Sequence, residues 1–350
     1  MTSIQTVYFI DKPKERDTAV SAVRFLSMLM IITCHFMQYL NIELAWWFNV
    51  GVQIFFTISG FLYGRKTVNN PIKFYKKSFK KILIPYWIFL LIVAVIQKIL
   101  VPEVFSWGKT LFAFLCIGTL DGIEHLWFVP KILICYLLLP LFLLIRDEVL
   151  KMKTFKIVLS IVFVFVILQI VGFSLNGYAL SANNINCFAV GVILSSVLAR
   201  TKSLFKSTVL FSSLAIITNS LRVYFSYFLV IRNNAIYDLF VKYAHGLLGV
   251  ALFLVLYNLF SNIKSNPVLR FSDKYSYHIY LVHQVFILGP LSLMTVTSNL
   301  LLNISIICCC ILCSGLILKK INNFVDKILT VIKAKIIRKI LINNRSLHLK

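Results

Sequence analysis

The chain has 350 residues, 59% of them hydrophobic, and Asp, Glu, Lys and Arg together make up only 14%. A soluble domain carries roughly a quarter charged residues, so this composition excludes a water-soluble globular protein. The net charge of +24 lies in short basic clusters between apolar segments. Because nucleic acids are bound by one continuous basic face, the charge pattern also argues against a nucleic-acid partner.

Apolar segments recur along the whole chain, and each can cross a hydrocarbon core that takes roughly 20 helical residues. They predict an all-α, polytopic membrane protein with about ten transmembrane helices. The first span is expected to be retained, because no signal-peptide cleavage site follows it. The predicted spans are residues 19–40, 44–63, 82–101, 125–145, 156–175, 183–199, 204–221, 239–260, 275–294 and 298–318.

The loops between these spans alternate in charge. Residues 64–81, after the second span, are rich in lysine and contain no acid, whereas Lys109 is the one basic residue of the next loop, 102–124. Basic loops remain in the cytoplasm, so every second loop, and both termini, are predicted to be cytoplasmic. The apolar stretches 110–120 and 223–231 are too short to cross and are predicted to be re-entrant or interfacial.

We predict a membrane domain over residues 1–318 and a basic, amphipathic cytoplasmic tail over residues 319–350. Apolar and basic residues alternate in the tail at helical spacing. This pattern predicts a helix on the inner membrane surface, where each Lys or Arg adds on the order of 1 kcal/mol of attraction to anionic lipid. The cysteines lie in or at the ends of apolar segments and predict neither a disulfide framework nor a metal site.

Two ionisable residues, Arg24 and His35, lie within the first predicted span. Ionisable side chains inside a membrane are energetically costly, so those that occur are candidates for function. The spacing of eleven residues is close to three helical turns, which predicts one shared face and a separation of about 16 Å along the axis. A neutral imidazole is the usual general base near neutral pH, and His35 is the predicted catalytic residue.

His125, at the start of the fourth span, is predicted to lie at the same outer level as His35, and His283 roughly mid-depth in the ninth span. The structural alternative for His125 is an interfacial residue beside an aromatic belt, and His283 is a candidate for lining the pocket. All twelve carboxylates fall outside the spans or at their edges. The spans therefore offer neither the proton relay of a coupled transporter nor a pair of acids, which leaves imidazole as the available base.

These residues resemble the acyltransferase 3 family of membrane O-acyltransferases over nearly the whole chain. Arg24 and His35 look like the signature of that family's first span, and residues 55–62 look like the signature of its second. Residues 125–128 and 276–283 are further matches. Four matches in this order are fairly specific.

The resemblance implies transfer of an acyl group, with acetyl the favoured choice, from cytoplasmic acyl-CoA to a hydroxyl of a cell-surface polysaccharide or its lipid-linked precursor. It implies His35 as the catalytic histidine, acyl-CoA as co-substrate without a permanently bound cofactor, and the plasma membrane of a bacterial cell. The family commonly has an arginine pair after the second span. Lysines stand there in this chain, with Ser78 at one position of the pair, and lysine cannot form arginine's bidentate fork.

Basic residues after the second span would attract the phosphates of acyl-CoA, and a small-residue gap would admit its pantetheine arm. The alternatives are topology signalling for the lysines, close helix packing for Ser59 and Gly60, and contact with lipid phosphates for Arg24. The predicted acyl-CoA contacts are Arg65, Lys77, Lys80 and Lys81. The predicted substrate-binding residues are Arg24, Ser59, Gly60, His125, Trp127, Tyr280 and His283.

Two other classes of function compete with an enzyme. The first is a transporter or flippase for a glycan precursor, although the predicted spans of this chain contain no carboxylate relay. A membrane scaffold whose basic tail binds lipid or a partner is the second. The expected partners of the enzyme are acyl-CoA, a glycan or lipid-linked glycan, membrane lipid and a second copy of the chain.

Overall fold

The computed structural model describes residues 17–149, 182–228 and 235–347, and all regular elements within these ranges are helical. The predicted fifth span, residues 156–175, lies outside the described residues. In chain order the helices are α1 (Thr18–Tyr39), α2 (Ala45–Phe48), α3 (Gly51–Tyr63), α4 (Pro71–Leu100), α5 (Trp107–Phe114), α6 (Phe128–Val149), α7 (Ala182–Thr201), α8 (Phe205–Tyr227), α9 (Ala235–Leu259), α10 (Pro267–Val282) and α11 (Leu300–Leu347), with 3₁₀ turns at Glu124–Trp127 and Gln284–Phe286.

Within the described ranges, eight helical segments are long and apolar enough to cross a membrane. They coincide with eight of the ten predicted spans, which confirms a polytopic helical membrane protein. Large apolar side chains on α4, α8 and α11 are exposed, among them Leu91, Ile216 and Leu301. Exposed apolar surface of this kind suits helices that face lipid rather than water.

The predicted ninth span, residues 275–294, is wrong as a single helix. Helix α10 begins at Pro267, capped by Asn266, and ends at Val282, after which the chain runs through a 3₁₀ turn and bends. Gly289 has φ +82° and packs against Gly122, itself at φ +81°, a conformation that interrupts a helix. Non-helical backbone at membrane depth is tolerated where protein buries it.

The two short apolar stretches have different outcomes. Residues 110–120 contain the end of the eight-residue helix α5 and a turn at Cys116, so this stretch is too short to cross, as predicted. The predicted separate element at residues 223–231 is wrong at its start, because α8 continues without a break to Tyr227. No Gly or Pro interrupts the sequence there. Residues 229–231 of that element fall outside the described residues.

One predicted loop boundary also changes. The lysines predicted to lie in a loop before residue 82 instead form the first turns of α4, which begins at Pro71 with the Asn70 side chain as its N-cap. Asparagine followed by proline favours a helix start at that point. Helix α11 spans 48 residues and runs through residue 319 without a break, so the predicted basic tail begins within the same helix as the last span.

Close helix crossings hold the core together. Helices α3 and α7 cross where a Cβ on Gly60 would meet the Phe188 carbonyl, and one on Gly191 would meet the Thr57 carbonyl. Two helix backbones can approach this closely only where a glycine leaves no side chain between them. We call the end of the bundle where α3 ends and α4 begins the lysine end, because the lysines of α4 lie there. Helix α2 lies at the opposite end, between the end of α1 and the start of α3.

Candidate active site

Three histidines from distant parts of the sequence form one cluster within the bundle. The ring centroids of His35 and His283 are 5.0 Å apart, those of His125 and His283 4.6 Å, and those of His35 and His125 6.3 Å. His125 and His283 are buried, whereas His35 is partly accessible. We call these three residues the histidine cluster, and His35 is the member that another molecule can reach.

The cluster is held by the end of α10 and the 3₁₀ turn before α6. The Tyr280 hydroxyl donates to the His125 carbonyl at 2.5 Å, and the His125 Nε2–H donates back to the carbonyls of Tyr280 at 3.0 Å and Leu281 at 3.2 Å. The Nδ1–H of His283 donates to the Tyr280 carbonyl at 2.6 Å. Because α10 ends here, these carbonyls lack helical partners and can accept from the imidazoles.

These hydrogen bonds define the protonation of each ring. The His35 Nδ1 lies 2.6 Å from the Gln38 Oε1, one helical turn later. An amide or carbonyl oxygen only accepts, so Nδ1 of His35 carries the proton and its Nε2 keeps a lone pair. Neither Nδ1 of His125 nor Nε2 of His283 has a hydrogen-bond partner among the described residues. Each ring therefore keeps one nitrogen with an unshared lone pair.

Sequence reasoning missed two glutamines of this site. Gln38 orients His35, and the Gln284 Oε1 accepts from the backbone N–H of His125 at 3.0 Å. The Gln284 Nε2 donates to Glu124 at 2.6 Å, and the other Glu124 oxygen accepts from the Gly122 N–H at 2.8 Å. The available signal was the spacing of three residues between His35 and Gln38, whereas Gln284 is 159 positions from its partner His125 and gave no local signal.

A cavity of about 630 Å³ leads from the lysine end into the bundle. We call it the lysine cavity. Ile31, Phe128 and Tyr280 line its inner part, and Ile31 lies one helical turn before His35. The Tyr280 ring is 5.1 Å from that of His125. The lysine cavity therefore ends beside the histidine cluster.

The basic residues predicted to contact acyl-CoA divide into two groups. Lys77, Lys80 and Lys81 line the lysine cavity together with Arg24 and Ser78. Arg65 does not line it. The Arg65 guanidinium donates to Asp17 at 2.6 Å and to the Tyr257 hydroxyl at 3.3 Å, and it lies 4.0 Å above the Phe61 ring. The structure thus gives Arg65 a packing environment away from this cavity, which its position in the sequence does not show.

Arg24 combines a structural contact with a position in the lysine cavity. Its guanidinium donates to Asp273 at 2.6 Å, and the Ser21 hydroxyl donates to the other oxygen of the same carboxylate at 2.5 Å. Asp273 is in α10 and also lines the cavity. This ion pair links α1 to α10. Each partly buried charge is compensated by the opposite charge of its partner. Sequence reasoning placed Asp273 at the edge of a span without identifying this partner.

The remaining predicted site residues also lie in different parts of the structure. Ser59 lines the lysine cavity, but Gly60 packs against the Phe188 backbone of α7, in agreement with the helix-packing alternative. Trp127 lines a second, smaller cavity and not this one. Lys319, Asn322 and Asp326 of α11, which were assigned to the tail, line the lysine cavity. The Lys80 ammonium lies 3.2 Å from Asp326.

The arrangement suits proton transfer by imidazole within a protein interior. Among the described residues no group of His, Cys, Asp and Glu has a metal-binding arrangement, even though three histidine rings are close together. A partly accessible His35 with an unprotonated Nε2 can accept a proton from a hydroxyl. The lysine cavity places cationic side chains at one end and the imidazoles beside the other.

The fold and the histidine cluster define a helical membrane protein with an imidazole site inside its helical bundle. The family model Acyl_transf_3, described as an acyltransferase domain, matches residues 17–319. The chain belongs to this family and is a membrane acyltransferase, which confirms the resemblance seen in its sequence. No curated protein and no solved structure was found to match the chain.

Proposed function

We propose that the protein transfers an acyl group, preferably acetyl, from acyl-CoA to a hydroxyl of a cell-surface polysaccharide or its lipid-linked precursor. The observation that carries this proposal is the lysine cavity, which begins among cationic residues and ends beside the histidine cluster. A donor with a polyanionic head and a reactive end on a slender arm matches that shape. A bacterial plasma membrane, with the lysine end in the cytoplasm, is the proposed location.

The donor binds by charge at the lysine end. Lys77, Lys80 and Lys81 line the cavity with Arg24, and Asp273 and Asp326 are the acids of the same lining. The cations outnumber the acids, so the phosphates of CoA are attracted to this opening. The pantetheine arm passes Ser59 and carries the thioester toward Ile31 and Tyr280.

Acyl transfer proceeds at His35. The Nε2 of His35 accepts the proton of the acceptor hydroxyl while the hydroxyl oxygen attacks the thioester carbonyl. A C–O bond forms, the C–S bond breaks, and the CoA thiolate takes the proton from the imidazolium. Gln38 accepts from Nδ1 throughout, so the same nitrogen stays available for the reaction. His125 and His283 pack around this ring and restrict its orientation.

The proposal is tested with the purified full-length protein in lipid nanodiscs. Radiolabelled acetyl-CoA and a glycan fraction from producing cells should yield labelled glycan and free CoA in equal amounts. Mass spectrometry of surface glycans, with and without the protein, should show the loss of an ester-borne acyl mass. Movement of a glycan precursor across vesicles without acyl-CoA, and without any labelled ester, would instead support a transporter.

A charge substitution tests the donor end of the cavity. We expect Lys77→Gln to raise the KM for acetyl-CoA by about fivefold, because an ion pair open to solvent contributes up to about 1 kcal/mol. Lys76→Gln is the matched control, since Lys76 precedes Lys77 on the same helix and does not line the cavity. Initial rates at low and high salt measure the KM. The difference in KM between Lys77→Gln and the wild type should shrink as salt screens the charges. Equal KM values for the two variants would contradict the donor site.

A second substitution tests the orientation of His35. We expect Gln38→Ala to lower kcat by about tenfold with little change in KM, because the ring loses the acceptor that holds its proton on Nδ1. Gln38→Glu keeps an acceptor oxygen and should retain most of the wild-type kcat. Steady-state kinetics at saturating acetyl-CoA measures both variants. A fully active Gln38→Ala would show that this hydrogen bond does not position the base.

A further inference from the structure

A second cavity lies at the end of the bundle opposite the lysine end. Its volume is about 190 Å³, and it is lined by residues of α2, α3, α6, α7 and α9 together with the 3₁₀ turn that contains His125. We call it the tryptophan pocket, after Trp46 and Trp127 in its lining. Trp127 follows His125 by two residues in that turn, so the pocket and the histidine cluster share one element. A volume of this size suits a single sugar residue.

Buried polar atoms in the tryptophan pocket lack partners. Among the described residues, Gln53 Oε1, Asn183 Oδ1 and both ring nitrogens of His245 make no hydrogen bond, and these three residues are at most 7% exposed. An unsatisfied buried polar group costs about 1–3 kcal/mol. A ligand with several hydroxyl groups can donate to the amide oxygens and exchange hydrogen bonds with the imidazole. The lining therefore matches a carbohydrate better than an apolar molecule.

The charge of the pocket restricts that carbohydrate. Lys131 and Lys242 line the pocket, and no carboxylate is present among its described lining residues. The Lys131 ammonium lies 4.1 Å above the Trp127 ring, so this cation is already held within the wall. The Trp46 ring is also held, with the Arg222 guanidinium 3.2 Å above it and the His245 ring 4.0 Å away. Cations fixed in this way favour an anionic ligand.

We propose that the tryptophan pocket binds the acceptor of the acyl group and selects a sugar residue that bears a carboxylate. This inference rests on the proposed function and names the class of its acceptor. The acceptor then approaches the histidine cluster from the end opposite to the donor. Donor and acceptor meet at His35 without sharing one opening.

Direct binding measurements test the proposal with defined probes. Full-length protein in nanodiscs is titrated with methyl β-D-glucuronide and with methyl β-D-glucoside, which differ by a carboxylate in place of a hydroxymethyl group. Trp46 and Trp127 line the pocket, so tryptophan fluorescence and saturation-transfer NMR should report binding. We expect the glucuronide to bind at least tenfold more tightly than the glucoside. Equal binding, or no binding of either, would overturn the proposal.

Lysine variants locate the bound sugar. We expect Lys131→Met and Lys242→Gln each to weaken glucuronide binding at least threefold, and the exposed position of Lys242 keeps that variant folded. Lys98→Gln is the matched control, because the Lys98 ammonium lies 4.8 Å above Trp107, outside the pocket. Lysine variants that bind like wild type would exclude this site.

His35→Gln separates the acceptor site from the proposed activity. This variant should bind the glucuronide like wild type while losing acyl transfer. If His35→Gln remains active while the lysine variants lose binding, the pocket stands and the proposed chemistry fails. If transfer depends on His35 but glucuronide binding does not depend on Lys131 and Lys242, the chemistry stands and the pocket is excluded.

Discussion

Replacement of His35 by glutamine is expected to lower kcat for acyl transfer by about 10²–10⁴-fold, the usual contribution of a positioned general base. Glutamine is polar and similar in length but has no basic nitrogen. Acetyl-CoA binding should be unchanged, since the cationic contacts lie at the other end of the lysine cavity. Single-turnover transfer of radiolabelled acetyl groups measures the chemical step, and equilibrium binding of acetyl-CoA measures the donor site.

Cys34→Ala is the control for this prediction. Cys34 precedes His35 on α1 and is buried. Its truncation shows how strongly a neighbouring change in α1 lowers activity while the histidine cluster stays intact. We expect Cys34→Ala to keep more than half of the wild-type kcat. A His35→Gln protein with activity equal to that of Cys34→Ala would refute the catalytic role of the imidazole.

Substitution at the crossing of α3 and α7 is expected to have the largest effect on stability. A Cβ on Gly191 would lie 2.8 Å from the Phe61 nitrogen and would also meet the Thr57 carbonyl. Backbone atoms cannot rotate away, so Gly191→Ala must push the helices apart. We expect this variant to lose about 3 kcal/mol of stability and about 5–10 °C in Tm. Thermal challenge followed by size-exclusion chromatography measures the change.

Gly108→Ala is the matched control, because a Cβ on Gly108 would meet only the Ser106 hydroxyl, at 3.8 Å. Alanine also favours the helix over glycine, so this variant should be neutral or slightly stabilised. A Gly191→Ala protein as stable as Gly108→Ala would contradict the close crossing.

The same crossing separates the two interpretations of Ser59 and Gly60. Gly60→Ala should lower Tm by a similar amount because its Cβ would meet the Phe188 carbonyl, and the KM for acetyl-CoA should not change in the protein that remains folded. Ser59→Ala should leave Tm unchanged, because Ser59 lines the lysine cavity rather than the crossing. The opposite pattern would assign the pantetheine passage to Gly60.

The errors of the sequence interpretation have a common origin. The predicted span at 275–294 treated hydropathy as continuous helix, but the paired glycines at 122 and 289 divert the backbone after Val282. The predicted loop before residue 82 was drawn from charge, although lysine is a good helix former. Basic residues indicate where a helix leaves the hydrocarbon core of the membrane. They do not indicate where the helix itself ends.

The sequence by itself determined the membrane class, most of the spans and the histidines that could carry chemistry, because hydropathy and the cost of intramembrane ionisable groups are properties of local composition. Only the tertiary structure decided which of those residues meet. It brought His35, His125 and His283 together, paired Arg24 with Asp273 and Arg65 with Asp17, and assigned Gly60 to a helix crossing. Several of these contacts join residues more than 150 positions apart, as in Arg24 with Asp273, and local pattern carries no information about such pairs.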